Sequence, residues 1–181
     1  MVQSIELLFD EATEAAVVAA WRALTDAGLP SLADHEGETN RPHVTVAVSE
    51  EGDLRPALDR VAAVLEGWDL RDRGFAAVVG SPLLFGGHRH RWVLARQVVP
   101  SRPLLTLHAA VHRALAAHVP DAALSEQTLP DRWTAHATLA QRMPADRLAE
   151  ALGAIDVEPL ACRFTAARLW DSVPKTVTPL P

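Results

Sequence analysis

Hydrophobic and polar positions along this chain change period several times, and each change marks an element. Val2 to Phe9 is apolar and alternating enough for a strand, and Asp10 to Ala27 then takes the Ala-rich spacing of a helix that Gly28 and Pro30 terminate. After a polar loop from Ser31 to Arg41, the segment Pro42-His43-Val44-Thr45-Val46-Ala47-Val48 is β-branched with period two, which predicts a strand. Asp53 is placed to cap the next helix, where Leu54, Leu58, Val61 and Leu65 recur at i, i+4, i+7 and i+11 as one apolar stripe before Gly67. Phe75 to Gly80 reads as the strand that closes this half.

The second half runs in the same order. It gives a strand at Arg91 to Val98, a helix from Ser101 to about His118, a strand at Thr134 to Ala140, a helix at Pro144 to Leu152 and a strand at Cys162 to Trp170. Strands this close to helices, without clear parallel crossovers, predict an α+β fold over a doubly wound sheet. We expect a single domain over 1–181 with two pseudo-symmetric lobes, each with an antiparallel-type sheet and helices. The first lobe covers about 1–85 and the second about 86–181, with strand exchange between them allowed for and Pro82 to His90 as the hinge or crossover. The tail from Pro174 to Pro181 reads as an extended terminus.

Composition narrows the class. With 181 residues, 49% of them apolar and 22% charged, the chain is long enough for one sizeable core or two small lobes that share one. The net charge of −6, with Lys175 as the only lysine, argues against a broad basic surface that coats nucleic acid, yet a local Arg-lined cleft remains compatible. Cys162 stands alone, so neither an internal disulfide nor a cysteine metal cage is expected. The N-terminus lacks a signal-peptide pattern, and no apolar run approaches the roughly 18 residues of a membrane span. The expectation is a soluble, cytoplasmic protein with no membrane contact and no obligate protein partner.

The chemistry concentrates in two triplets. His43-Val44-Thr45 and His136-Ala137-Thr138 lie on the central strands of the two halves, 93 positions apart. Side chains at i and i+2 share one face of a strand, so each triplet presents one imidazole and one hydroxyl together. One such triplet arises by chance wherever a strand alternates polar residues; two in equivalent places of a repeated unit are hard to attribute to chance. If the lobes pack as a pair, both strands face one cleft. Displacement at phosphorus needs a base for the attacking oxygen and an acid for the departing one, and two histidines with ordinary pKa near 6.5 supply both. The threonine hydroxyls are suited to the non-bridging oxygens.

These segments, Pro42-His43-Val44-Thr45-Val46 and His136-Ala137-Thr138-Leu139, resemble the paired motifs of the 2H phosphoesterase superfamily, in its bacterial 2'-5' RNA ligase-like branch. The resemblance implies a bilobal fold around a central cleft and a phosphodiesterase that needs neither metal nor other cofactor. The substrates it implies are 2',3'-cyclic phosphates or 2'-5' linkages of an RNA terminus or small nucleotide, with His43 and His136 expected as proton shuttles and Thr45 and Thr138 on the phosphate. For hydrolysis, His136 is expected as base and His43 as acid. Ala135 and Gln141 replace the proline and arginine many relatives carry. Strand periodicity puts Gln141 and Arg142 on opposite faces, so Arg142 takes the phosphate-binding place only if the strand ends or bulges there. Arg132 and Arg41 are the other candidates. Two rival readings are ATP-independent 2'-5' RNA ligation and a noncatalytic RNA- or nucleotide-binding module, which would have no need of two proton shuttles.

Other polar groups carry weaker signals. His35, in the loop Asp34 to Glu38 before the first triplet, is placed to touch a base or sugar. His88-Arg89-His90 lacks the further ligands a zinc site requires. His108 shares an apolar helical stripe with Leu104, Val111 and Leu115 and is expected buried and hydrogen-bonded; His112 and His118 are expected at the surface or its boundary. Trp92, Trp133 and Trp170 are expected in strands, where core or rim packing is the default and base stacking the alternative.

Overall fold

The computed structural model describes residues 2–35, 37, 39–86, 89 and 91–181. Its strands are β1 (Gln3–Phe9), β2 (His43–Ser49), β3 (Phe75–Gly86), β4 (Arg91–Val98), β5 (His136–Pro144), β6 (Leu160–Asp171) and β7 (Thr176–Leu180), and its helices are α1 (Glu11–Asp26), α2 (Leu58–Glu66), α3 (Arg102–Leu115) and α4 (Leu148–Ala154). Local chemistry sets most boundaries. Asp10 accepts the Thr13 amide at 2.9 Å to start α1, and Gly28 at φ +66° ends it, where Leu29 N donates to Leu24 O. Ser101 caps α3 through the Leu104 amide. Asp53 accepts the Arg55 amide at 3.0 Å but does not cap α2 as the sequence suggested, because a 3-10 turn at Arg55–Ala57, with Leu54 at its start and no side-chain cap, leads into the helix.

All strand pairs are antiparallel, in the order β2-β1-β6-β3-β4-β5. The α+β class read from the sequence is therefore the one observed. β6 links the sheet: its first residues, Leu160 to Phe164, pair with β3, and Phe164 to Asp171 pair with β1. β7 covers the end of β6, so Thr176–Leu180 is a strand where the sequence suggested only an extended tail. Its only buried side chain is Leu180, too little apolar content to announce a strand.

Buried side chains form two clusters. One packs β1, β2 and β6 against α2 and α3; the other packs α1 and α4 against β4 and β5. Each draws on both halves of the chain. Pro82 to Gly86, expected within an interlobe hinge, instead continues β3 and pairs with β4 as a hairpin. The proline fits because a register shift precedes it, where a ladder donor is not required. The helix expected at Pro144 begins at Leu148, since β5 runs on through Pro144. Among the described residues no helix is long and apolar enough to cross a membrane.

Candidate active site

The two His-x-Thr triplets occupy equivalent backbone environments. His43 and Thr45 are half-buried with Val44 fully buried between them, and His136, Thr138 and Ala137 repeat the pattern. Each strand bulges just after its threonine: Glu6 faces Thr45 while Ile5 faces Ala47, and Ala95 faces Thr138 while Leu94 faces Ala140. The extra residue turns Val46 and Ala47, and likewise Leu139 and Ala140, into the core. Each imidazole is tied to the carbonyl two residues earlier, His43 Nδ1 to Arg41 O at 2.7 Å and His136 Nδ1 to Thr134 O at 2.6 Å. With Nδ1 donating, Nε2 is the nitrogen left for chemistry. Each threonine carbonyl accepts an indole N–H from a distant tryptophan, Thr45 O from Trp133 at 2.8 Å and Thr138 O from Trp21 at 2.9 Å. Among the described residues no hydrogen bond occupies either threonine hydroxyl.

β2 and β5 are the two ends of the strand path, yet they lie alongside each other. The segment before β5 closes the outer edge of β2: Ser125 N donates to Val48 O at 2.8 Å, Val48 N to the Thr128 hydroxyl at 3.3 Å, and Trp133 reaches Thr45. This brings His43 near enough that its charge acts on His136. Burial, opposed by the Thr134 carbonyl and reinforced by a cationic His43, holds the His136 ring below the ordinary histidine range.

Charge distinguishes the half-sites. The cross-strand neighbour of Thr45 on β1 is Glu6, which is 3% exposed and pairs through Oε2 with Arg168 Nε of β6 at 2.7 Å. Beside His136 stands the Phe85 ring, 4.5 Å between centroids. Sequence reading missed Glu6 and Arg168. An acid at an even position of a strand whose odd residues, Ile5, Leu7 and Phe9, fill the core was the available signal.

The remaining candidates are dispersed. Arg142 lies at a bulge of β5, where Gln141 and Arg142 together oppose Val93; its φ is +58° and its side chain is exposed. Arg41 pairs with Glu14 of α1, Nε to Oε1 at 3.0 Å, and Arg132 pairs with Glu126. His35 is exposed. Glu36, Glu38, His88 and His90 lie outside the described residues. His108 is buried, donates from Nε2 to Thr128 O at 2.9 Å, and stacks on Trp133 with centroids 4.0 Å apart. His118 is exposed, but His112 is buried against the Val46 carbonyl at 3.1 Å, because the face α3 turns to β2 is wider than the apolar stripe alone. Trp133 precedes β5 and is not in a strand, since its indole is committed to the edge of β2.

An antiparallel α+β fold with a His-x-Thr triplet on each of two apposed edge strands is that of a 2H phosphoesterase. The sequence model described as the 2'-5' RNA ligase superfamily matches residues 9–175, and the chain belongs to that family. Solved structures of similar fold include Usb1 of Kluyveromyces marxianus, at 14% identity and TM-score 0.58 over 99% of this chain and 97% of that one. Another is TT0787 of Thermus thermophilus, at 17% identity and TM-score 0.59 over 100% and 96%. A third is LigT of E. coli, at 18% identity and TM-score 0.52 over 99% and 95%. A comparison with curated proteins found no match.

Proposed function

We propose that this protein is a metal-independent phosphodiesterase that opens a 2',3'-cyclic phosphate, or cleaves a 2'-5' linkage, at an RNA terminus or in a small nucleotide. The observation that carries the reading is the matched pair of half-sites: two imidazoles locked at Nδ1 by a backbone carbonyl, each beside an unengaged threonine hydroxyl. One ring takes the proton of the attacking oxygen and the other protonates the departing ribose oxygen. Thr45 and Thr138 donate to the non-bridging oxygens as charge builds there. Arg142, exposed at its bulge and free of an ion pair among the described residues, is the arginine we assign to the phosphate; Arg41 and Arg132 are committed to carboxylates. Structures of relatives support a nucleotide-sized ligand, since Usb1 carries uridine monophosphate and LigT carries ATP.

The test is hydrolysis of a panel of 2',3'-cyclic nucleotides and 2'-5'-linked dinucleotides with EDTA present. Wild type is expected to turn over at least one member, and His43→Ala and His136→Ala each to lose about 100-fold or more. Binding without turnover by the wild type would instead identify a noncatalytic module.

A further inference from the structure

The half-sites agree in backbone and disagree in charge, and the disagreement lies on the reactive nitrogen itself. Glu6 Oε1 is 3.6 Å from His43 Nε2, whereas His43 Nδ1 is already held by Arg41 O. A carboxylate that is 3% exposed is costly unless paired, and this one is paired on both oxygens: the Ser4 hydroxyl donates to Oε1 at 2.6 Å and Arg168 Nε to Oε2 at 2.7 Å. Arg168 is itself fixed through its second nitrogen to Thr39 O at 2.9 Å. The carboxylate is therefore held on both oxygens and lies against the ring. Titratable groups that face His43 are Glu6 from β1, Arg168 behind it on β6 and His136 across the cleft on β5; Arg41 and Glu14 engage each other. His136 has no ion pair among the described residues and meets the Phe85 ring, with Gln97 opposite it in register.

We propose that Glu6 is a positioning residue that makes His43 the proton donor of the pair, through the carboxylate it sets against Nε2, and leaves His136 as the acceptor. This rests on the phosphodiesterase reading. In the cyclic phosphate reaction, the water oxygen bonds to phosphorus while His136 Nε2 takes its proton. The phosphorus–oxygen bond to one ribose oxygen breaks, and that oxygen receives the proton on His43 Nε2. One water is consumed and a phosphomonoester formed, and solvent returns the proton from His136 to His43. The asymmetry thus fixes substrate polarity: the departing ribose oxygen lies on the Glu6 side and the attacking water on the Phe85 side.

The decisive variant is Glu6→Gln, which keeps size and can still meet Ser4 and Arg168. Against a 2',3'-cyclic nucleotide it is expected to lose roughly 10- to 100-fold in kcat/KM at pH 8, with the alkaline limb of the profile displaced to lower pH. Against a diester whose leaving group is 4-nitrophenolate, which needs no acid, the loss is expected to stay under about threefold. Equal losses on both substrates at every pH would reduce Glu6 to a structural role and overturn the proposal. A second measurement needs neither turnover nor a folded variant at Glu6. Nitrogen NMR of the wild-type rings at pH 7, assigned with His43→Asn and His136→Asn, is expected to show both nitrogens of His43 protonated and His136 neutral. The reverse pattern overturns the proposal; the expected pattern in a protein that hydrolyses nothing would sink the phosphodiesterase reading and leave the charge assignment standing.

Discussion

His136 takes its character from burial next to Phe85, and the sign of the resulting pH dependence follows. Burial lowers the ring from its ordinary 6.5, so the neutral, proton-accepting form persists into more acidic solution. The acid limb of kcat/KM is therefore expected below pH 6.5. Phe85→Ala, which admits water to the ring, is expected to move that limb upward toward the ordinary value. A limb above 6.5 that ignores Phe85→Ala would remove His136 from the base role. At this scale the sequence was informative about His43, Thr45, His136 and Thr138, because a period-two strand announces which side chains share a face. It was silent about Glu6 and Arg168. They meet across 162 positions, and only the register of β1 against β6 makes them neighbours. Arg142 stands between these cases: strand periodicity framed a bulge as the condition for its use, and β5 bulges at Gln141 and Arg142.

The element that most affects the site without entering it is α3. It presents His108 and His112 to the back of β2, where His112 Nε2 meets the Val46 carbonyl and His108 stacks on the tryptophan that holds Thr45. Burial depresses His108 to about 4 and also lowers His112, whose Nδ1 is buried without a partner. An unfolded chain takes up a proton near 6.5, while the folded protein refuses it until about 4. Stability from neutral His108 is thus complete above pH 6.5 and lost as pH falls toward 4, with a ceiling on the order of 3 kcal/mol. Urea unfolding between pH 7 and 4 should show this decline, and His108→Gln, which cannot titrate, should flatten it. An unchanged slope would place the acid sensitivity elsewhere. The sequence revealed α3 and the burial of His108 through the stripe of Leu104, Val111 and Leu115. It did not reveal His112, whose burial depends on a carbonyl of β2 that helical periodicity cannot foresee.

Across the whole molecule, the repeat legible in the sequence is folded through itself. α1, from the first half, packs on β4 and β5 and sends Trp21 to Thr138, while α3, from the second half, packs behind β2. β6 joins the two sides of the sheet, and at its change of partner Phe164 stacks between Phe9 of β1 at 4.9 Å and Phe75 of β3 at 6.2 Å. Periodicity finds the elements and their order, but it holds no information on which helix crosses to which strand. Exchange of this kind has an energetic consequence. Separating the two halves of the chain would strip Trp21, Leu24 and Val17 from β5 and break the Phe9–Phe164–Phe75 stack, so neither half retains a complete core alone. The two halves of the chain are therefore expected to unfold together, and the pairing of His43 with His136 to be in place before substrate arrives. Tryptophan fluorescence, far-ultraviolet dichroism and amide exchange in β6 should report one coincident urea transition, with β6 amides among the slowest to exchange. Two separated transitions, or β6 amides that exchange ahead of β2 and β5, would mean that the halves open independently and that the geometry joining His43 to His136 is assembled only on binding.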